Sequence, residues 1–166
     1  EKAERELGKQ SEKLGKVSKQ TVKDEPKTTT VKTSGGFLRP VSGRITSPFG
    51  TRVHPIFKRT IFHTGVDLGM PMGAKVKASN SGKVIYVGWY GGYGKVVIID
   101  HGKVNGVPVT SLYAHLSSYC VSNGSSVYKG QIIGNVGATG YATGPHLHFE
   151  MRENGKPVNP SKYAPI

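Results

Sequence analysis

The sequence predicts a mainly β domain, an antiparallel sheet or sandwich with short loops, preceded by a flexible or partly helical N-terminal extension. Three observations predict it. Glycine is abundant, at 23 of 166 residues, and 10 prolines accompany it, so the chain is rich in turns. Short β-branched runs are separated by Gly-Gly and Asn-Gly steps, the signal of antiparallel hairpins. After residue 37 there is no amphipathic helical period of about 12 residues.

Residues 1–36 form the extension. Glu1 to Lys19 are charged and helix-permissive, with Leu7, Leu14 and Val17 as sparse apolar positions, the character of a frayed helix or coiled-coil end. Thr21 to Gly36 are rich in Lys, Thr and acidic residues around Pro26. That stretch buries too little apolar area to offset its ordering entropy and reads as a linker. The chain opens on Glu1 rather than Met and so reads as a mature portion or fragment. A membrane anchor or coiled coil is the candidate upstream partner, and an inhibitory segment over a cleft is the alternative role for this stretch.

Residues 37–166 form the folded domain. Lys83–Val87 reads as a strand ending at Gly88, Gly91-Gly92-Tyr93-Gly94 as a turn, and Lys95–Asp100 as a buried strand. Val109–His115 and Gln131–Val136 are further strands. Leu147–Arg152 is another, closed by the turn Glu153-Asn154-Gly155-Lys156. No apolar run is long enough to span a membrane.

The net charge is +13. Residues 1–36 hold nine Lys/Arg and six Asp/Glu, whereas residues 37–166 hold fourteen and four, so the folded part carries most of the excess. Such a surface attracts polyanions. Nucleic acid is excluded as the partner, because the interleaved aromatics and basic strand pattern of single-strand binders are missing. The single Cys120 is too little for a disulfide or a Cys-based zinc site and is expected to be a buried, inert thiol.

Six histidines carry the functional signal. His146 and His148 stand two apart in P-H-L-H-F-E, so on a strand both imidazoles face one side while Leu147 faces the core. That arrangement gives two metal ligands, or one ligand beside one catalytic base. His63 and Asp67 stand in H-T-G-V-D on an extended or bent segment, where an imidazole and a carboxylate can share one metal. His115 ends a strand-like run in L-Y-A-H-L-S, and His54 precedes a proline in G-T-R-V-H-P. His101 is read as an ordinary turn histidine.

F-G-T-R-V-H-P, H-T-G-V-D, Y-A-H-L-S and G-A-T-G-Y-A-T-G-P-H-L-H-F-E, in that order, resemble the lysostaphin/LytM-type zinc endopeptidases over about Phe37 to Pro160. The resemblance implies a metallopeptidase core with one Zn2+ per domain, held by His63, Asp67 and His148. It gives His115 and His146 as the pair flanking the catalytic water, with Arg52 and His54 in supporting positions near the cleft. It further implies a secreted, extracytoplasmic enzyme that cuts peptide bonds in peptidoglycan stems or cross-bridges, its basic surface suited to anionic wall polymers. Some relatives have lost ligands, so a non-catalytic wall-binding regulator that activates an amidase is the alternative. The glycine-rich segments around Gly91 and from Gly137 to Gly144 are expected to border the cleft, with Tyr90, Tyr93 and Tyr141 as candidate groove walls.

Overall fold

The computed structural model describes residues 36–53 and 60–166. Twelve strands follow one another: β1 (Ile45–Ser47), β2 (Gly50–Val53), β3 (Thr60–His63), β4 (Val66–Gly69), β5 (Lys75–Lys77), β6 (Gly82–Trp89), β7 (Lys95–Val104), β8 (Val107–Tyr119), β9 (Ser126–Val127), β10 (Ile132–Val136), β11 (His146–Glu153) and β12 (Lys156–Val158). The five sequence-read strands are all present and most run longer than expected. The only helical pieces among the described residues are two 3₁₀ turns, Gly91–Tyr93 and Pro160–Lys162. Apart from Gly36, the N-terminal extension lies outside the described residues.

All pairings among the described strands are antiparallel. The main sheet runs β1-β4-β11-β8-β7-β6-β9, with β12 on β11 and β10 bridging β8 to β5; β2 and β3 form a separate ribbon. Asn-Gly steps make two of the hairpins. Asn105–Gly106 joins β7 to β8 and Asn154–Gly155 joins β11 to β12, all four residues at positive φ, as two-residue hairpin turns require.

Strand alternation divides the apolar residues between two faces. Val97 and Ile99 on β7, Tyr113 on β8, and Leu147, Phe149 and Met151 on β11 enter the main core, which Val76, Ile133, Val136, Phe37 and Val41 complete. The opposite face carries a smaller cluster of Val96, Ile98, Leu112, Ala114 and Tyr93. On β11 that second face holds His146, His148, Glu150 and Arg152, the residues interleaved with the core-facing ones. The large core anchors the sheet and leaves the other face for a polar row.

Two residues depart from expectation. Cys120 is exposed rather than buried; it lies one residue past β8, where the chain has left the core, and its thiol meets the Ile132 carbonyl at 3.3 Å. His101 lies within β7 rather than in a turn, because the strand continues past Asp100 with an irregular register as far as Val104.

His101 is buried in a directional chain of hydrogen bonds. The Ser79 amide donates to the Tyr113 hydroxyl (2.9 Å), which reaches Ser111 Oγ (2.8 Å), which reaches His101 Nε2 (2.7 Å). His101 Nδ1–H donates to the Ser81 carbonyl (2.7 Å). The chain uses a neutral ring with Nε2 as acceptor. Burial lowers the His101 pKa to about 4, against the opposing pull of the Ser81 carbonyl. Between pH 6.5 and 4 the unfolded chain therefore binds a proton that the folded chain refuses, so stability falls as pH falls through that window. In His101→Gln the slope of unfolding free energy against pH should drop there by up to about 1.4 kcal/mol per pH unit. Urea melts of parent and variant from pH 7 to 4 measure the difference, and parallel curves would contradict it.

Candidate metal centre

Three sequence-distant residues meet because of one strand pairing. β3 delivers His63, and Thr64–Gly65 turn the chain into β4, which carries Asp67. β4 pairs with β11 in a register that sets Asp67 opposite His148. Cross-strand partners in an antiparallel ladder stand close enough for their side chains to touch. Asp67 Oδ1 lies 2.9 Å from His148 Nδ1, 3.4 Å from His63 Nε2 and 3.7 Å from His146 Nε2. One ligand atom each from His63, Asp67 and His148 fall within 4.8 Å of one another. Zinc bonds of roughly 2.0–2.1 Å to N and O imply tetrahedral edges of roughly 3.3 Å, which the His63–Asp67 separation matches. The His148–Asp67 edge needs to open by a few tenths of an ångström. Two imidazoles and one carboxylate suit zinc, and three protein ligands leave a fourth position open.

The turn between the first two ligands depends on glycine. A Cβ at Gly65 would lie 2.3 Å from the Phe149 carbonyl oxygen and 2.8 Å from Glu150 Cγ. Any larger residue there pushes the β3–β4 turn off β11.

Backbone carbonyls orient three of the rings. His63 Nδ1–H donates to Pro48 O (2.8 Å), His115 Nδ1–H to Thr139 O (2.7 Å) and His146 Nδ1–H to Gly144 O (2.9 Å). A carbonyl only accepts, so Nδ1 carries hydrogen in each ring and Nε2 is the nitrogen that can offer a lone pair to the site. The His115 and His146 rings are 4.9 Å apart between centroids, and His115 stands 6.0 Å from His148.

His115 reaches this face through a bulge. Strict alternation along β8 would send it to the core side with Tyr113. Lys95 instead pairs with Leu116 and Val97 with Tyr113, leaving Ala114 and His115 opposite Val96 alone. His115 adopts φ of 61°, the left-handed region, and Leu116 drops into the main core in its place. Bulges re-aim a side chain in this way and recur beside active sites. The Thr139 loop that holds His115 is packed against the Gly91–Tyr93 turn. A Cβ at Gly94 would lie 2.5 Å from Thr139 backbone carbon, and one at Gly140 would lie 2.3 Å from Gly92 O.

Two carboxylates, the half-buried Asp67 and the buried Glu150, charge the site. Burial would raise the Asp67 carboxyl, but hydrogen bonds and charge from His148 and His63 hold it well below the usual range. Glu150 is fully buried; burial again raises its pKa, and Arg152, His148 and Thr64 together force it far down. His148 sits between the two carboxylates, and their hydrogen bonds and charges overcome burial to raise it to about 9. His115 moves the other way, to about 4, through burial and the neighbouring His148 charge. It stays neutral at pH 7. Removing either member of the buried Glu150–Arg152 pair alone would cost about 3–5 kcal/mol, because the other charge is left without its partner.

The family model for peptidase family M23 matches residues 61–160. The chain belongs to peptidase family M23. The resemblance carried by its four motifs is thereby shown. DD-carboxypeptidase/endopeptidase Mpg of Neisseria meningitidis is 50% identical over 132 residues, covering 78% of this chain and 30% of that protein. Peptidoglycan DD-endopeptidase ShyA of Vibrio cholerae is 42% identical over 120 residues, covering 72% and 27%. A zinc-containing peptidase from Vibrio cholerae, solved as a crystal structure, superposes with a TM-score of 0.69 at 38% identity, over 75% of this chain and 39% of that one. The chain thus spans roughly a third of the length of these relatives.

Within the M23 domain the other sequence-read residues have diverse places. Tyr141 is exposed, on a loop whose backbone N–H donates to Gly92 O. Tyr93 is no groove wall: it is buried, with its hydroxyl on Glu150. Arg52 lies on β2, but its side chain and all of His54 are outside the described residues. Sequence reasoning missed Thr64, Thr139, Glu150 and Arg152. The signal for two of them was present, since the two-residue alternation of His146 and His148 continues to Glu150 and Arg152.

In Gly65→Ala the new methyl should cost about 1–3 kcal/mol of stability, as overpacking does. It should also weaken zinc binding at least about tenfold, because His63 moves with the turn. Thermal melting and chelator competition test both, and parental zinc affinity in the folded variant would contradict the argument.

Proposed function

We propose that this M23 domain is a zinc-dependent endopeptidase that hydrolyses peptide bonds in bacterial peptidoglycan stems or cross-bridges, acting outside the cytoplasm. The observation that carries the proposal is the convergence of His63, Asp67 and His148 on one point with two further imidazoles beside it. His63 Nε2, Asp67 Oδ1 and His148 Nδ1 would hold the ion. Bound zinc polarises a substrate carbonyl and acidifies a coordinated water.

The chain's own residues supply the rest. His115 and His146 present bare Nε2 atoms, oriented by carbonyls behind them. His115 is neutral at pH 7 and so can accept the water proton and return it to the leaving amine, together with His146. Among the described residues no glutamate stands free for that work, since Glu150 is wholly engaged and Glu153 is held by Lys162 and Tyr163. One relative is named a peptidoglycan DD-endopeptidase and another a DD-carboxypeptidase/endopeptidase, which supports a peptidoglycan substrate and D,D-type bonds. One of those names joins carboxypeptidase to endopeptidase, so trimming of stem peptides is the second reading. A complete ligand set argues against a purely regulatory module, which needs no metal. Residues 1–36 serve in this reading as the linker that tethers the domain, and the basic surface draws it to anionic wall polymers.

His148→Ala should lose stoichiometric zinc and activity together. His115→Ala should retain most of the zinc while activity falls by about 10²–10⁴. Equal zinc loss in the two variants breaks the division of roles. Mass analysis of fragments from digested cell walls identifies the bond: released terminal D-residues alone indicate trimming, whereas separated cross-linked stems indicate endo-cleavage.

A further inference from the structure

Glu150 accepts from five donor atoms, and their arrangement is unequal. Its Oε1 is occupied by Arg152, through Nε at 2.7 Å and Nη2 at 2.5 Å. Its Oε2 takes Thr64 Oγ1 at 2.6 Å, Tyr93 OH at 2.8 Å and His148 Nε2 at 2.8 Å. Thr64 belongs to the turn between His63 and Asp67. Arg152 is tied in turn to the Gly155 carbonyl through Nη1 at 3.1 Å. The carboxylate therefore touches one ligand residue directly and grips the segment that bears the other two.

We propose that Glu150 is a positioning residue for the metal centre, its Oε2 holding the proton of neutral His148 on Nε2 so that Nδ1 presents its lone pair beside Asp67 and His63. This rests on the reading of His148 as a ligand through Nδ1. His63, His115 and His146 donate from Nδ1 and turn Nε2 to the site, whereas His148 is used in the opposite sense. An ionised carboxylate only accepts, so an imidazole placed against it must carry hydrogen at that nitrogen. Hydrogen bonds behind a metal-bound imidazole fix its ring and tautomer in this manner.

The same geometry makes a glutamine at this position a sensitive probe. Arg152 has donors only, so the amide oxygen of Glu150→Gln must stay on the Oε1 side. The amide NH₂ then faces Thr64, Tyr93 and His148. The two hydroxyls can rotate and accept. His148 can accept at Nε2 only by carrying its proton on Nδ1, which removes the lone pair that zinc needs. If Arg152 is replaced by Met, the amide is free to flip and offer its oxygen to Nε2 again.

The experiment measures Zn2+ affinity by chelator competition on the full chain, with folding checked by circular dichroism. Parent, Glu150→Gln, Glu150→Gln/Arg152→Met and Glu150→Leu/Arg152→Met are compared. Glu150→Gln should bind zinc at least about tenfold more weakly than the parent. The Gln/Met pair should recover most of that loss, a recovery that general destabilisation does not produce. The Leu/Met pair leaves no buried charge unpaired and offers no acceptor, so it should stay folded and bind weakly even if Glu150→Gln fails to fold. In the zinc-loaded parent, nitrogen-edited NMR should show an exchange-protected His148 Nε2–H. A folded Glu150→Gln with parental affinity, a Gln/Met pair no better than Glu150→Gln, a Leu/Met pair with parental affinity, or an unprotonated His148 Nε2 in the loaded parent would each overturn the proposal. A parent that binds no stoichiometric zinc would instead overturn the metallopeptidase reading beneath it.

Discussion

The site depends on the register of β4 against β11. That pairing sets Asp67 across from His148 and Val66 across from Phe149. Side chains alternate along a strand, so a slip of one residue would exchange the polar and core faces of β4 together. Val66 and Leu68 would leave the core, in which both are buried, and Asp67 would enter it. Burying Val or Leu is worth about 1.5–3 kcal/mol each, so the apolar neighbours of Asp67 enforce the position of a carboxylate that is costly to bury. The core packing thereby holds the metal-binding geometry.

The polar row on β11 shows how charge is accommodated on a buried sheet face. His146 lies half-buried toward the open end of the site and His148 is buried beside it, with Glu150 and Arg152 farther along the strand, both fully or nearly fully buried. The deep pair cancels its own charge and is saturated by Thr64, Tyr93 and Gly155. The shallow pair faces Asp67 and the position available to a cation. Set between two carboxylates, His148 is drawn toward its protonated form, and a divalent ion held there would supply the same positive charge. Metal and proton compete for one nitrogen, which is how metal affinity becomes coupled to protonation in such centres.

His115 illustrates a different compromise. Its left-handed backbone is a strained conformation for a non-glycine residue, and it persists because β7, β10 and the Thr139 loop surround it. The close packing of Gly94 on Thr139 and of Gly140 on Gly92 leaves no room for the loop to relax. The β8 bulge lets one strand serve both faces: Leu112 and Ala114 pack beneath the site, Tyr113 and Leu116 fill the core, and His115 turns back to stand beside His146.

Much of this was legible in the residues themselves. Gly-rich turns, Asn-Gly hairpins and β-branched runs determine an antiparallel β domain because their backbone preferences are local. The H-x-H spacing determines that two imidazoles share a face because strand period is a local property as well. The pairing of H-T-G-V-D with H-L-H was readable only through family resemblance, since nothing local relates residues eighty positions apart. Tertiary structure alone decided the rest. It buried Glu150 and Arg152, which no local pattern marks for burial, against Thr64, Tyr93 and the Gly155 carbonyl. It exposed Cys120 by ending β8 one residue earlier, and it enclosed His101 by extending β7. It turned His115 to the site with a bulge whose cause lies in neighbouring strands. Burial, register and strain are properties of assembled neighbours, whereas turn chemistry and strand period belong to the chain itself.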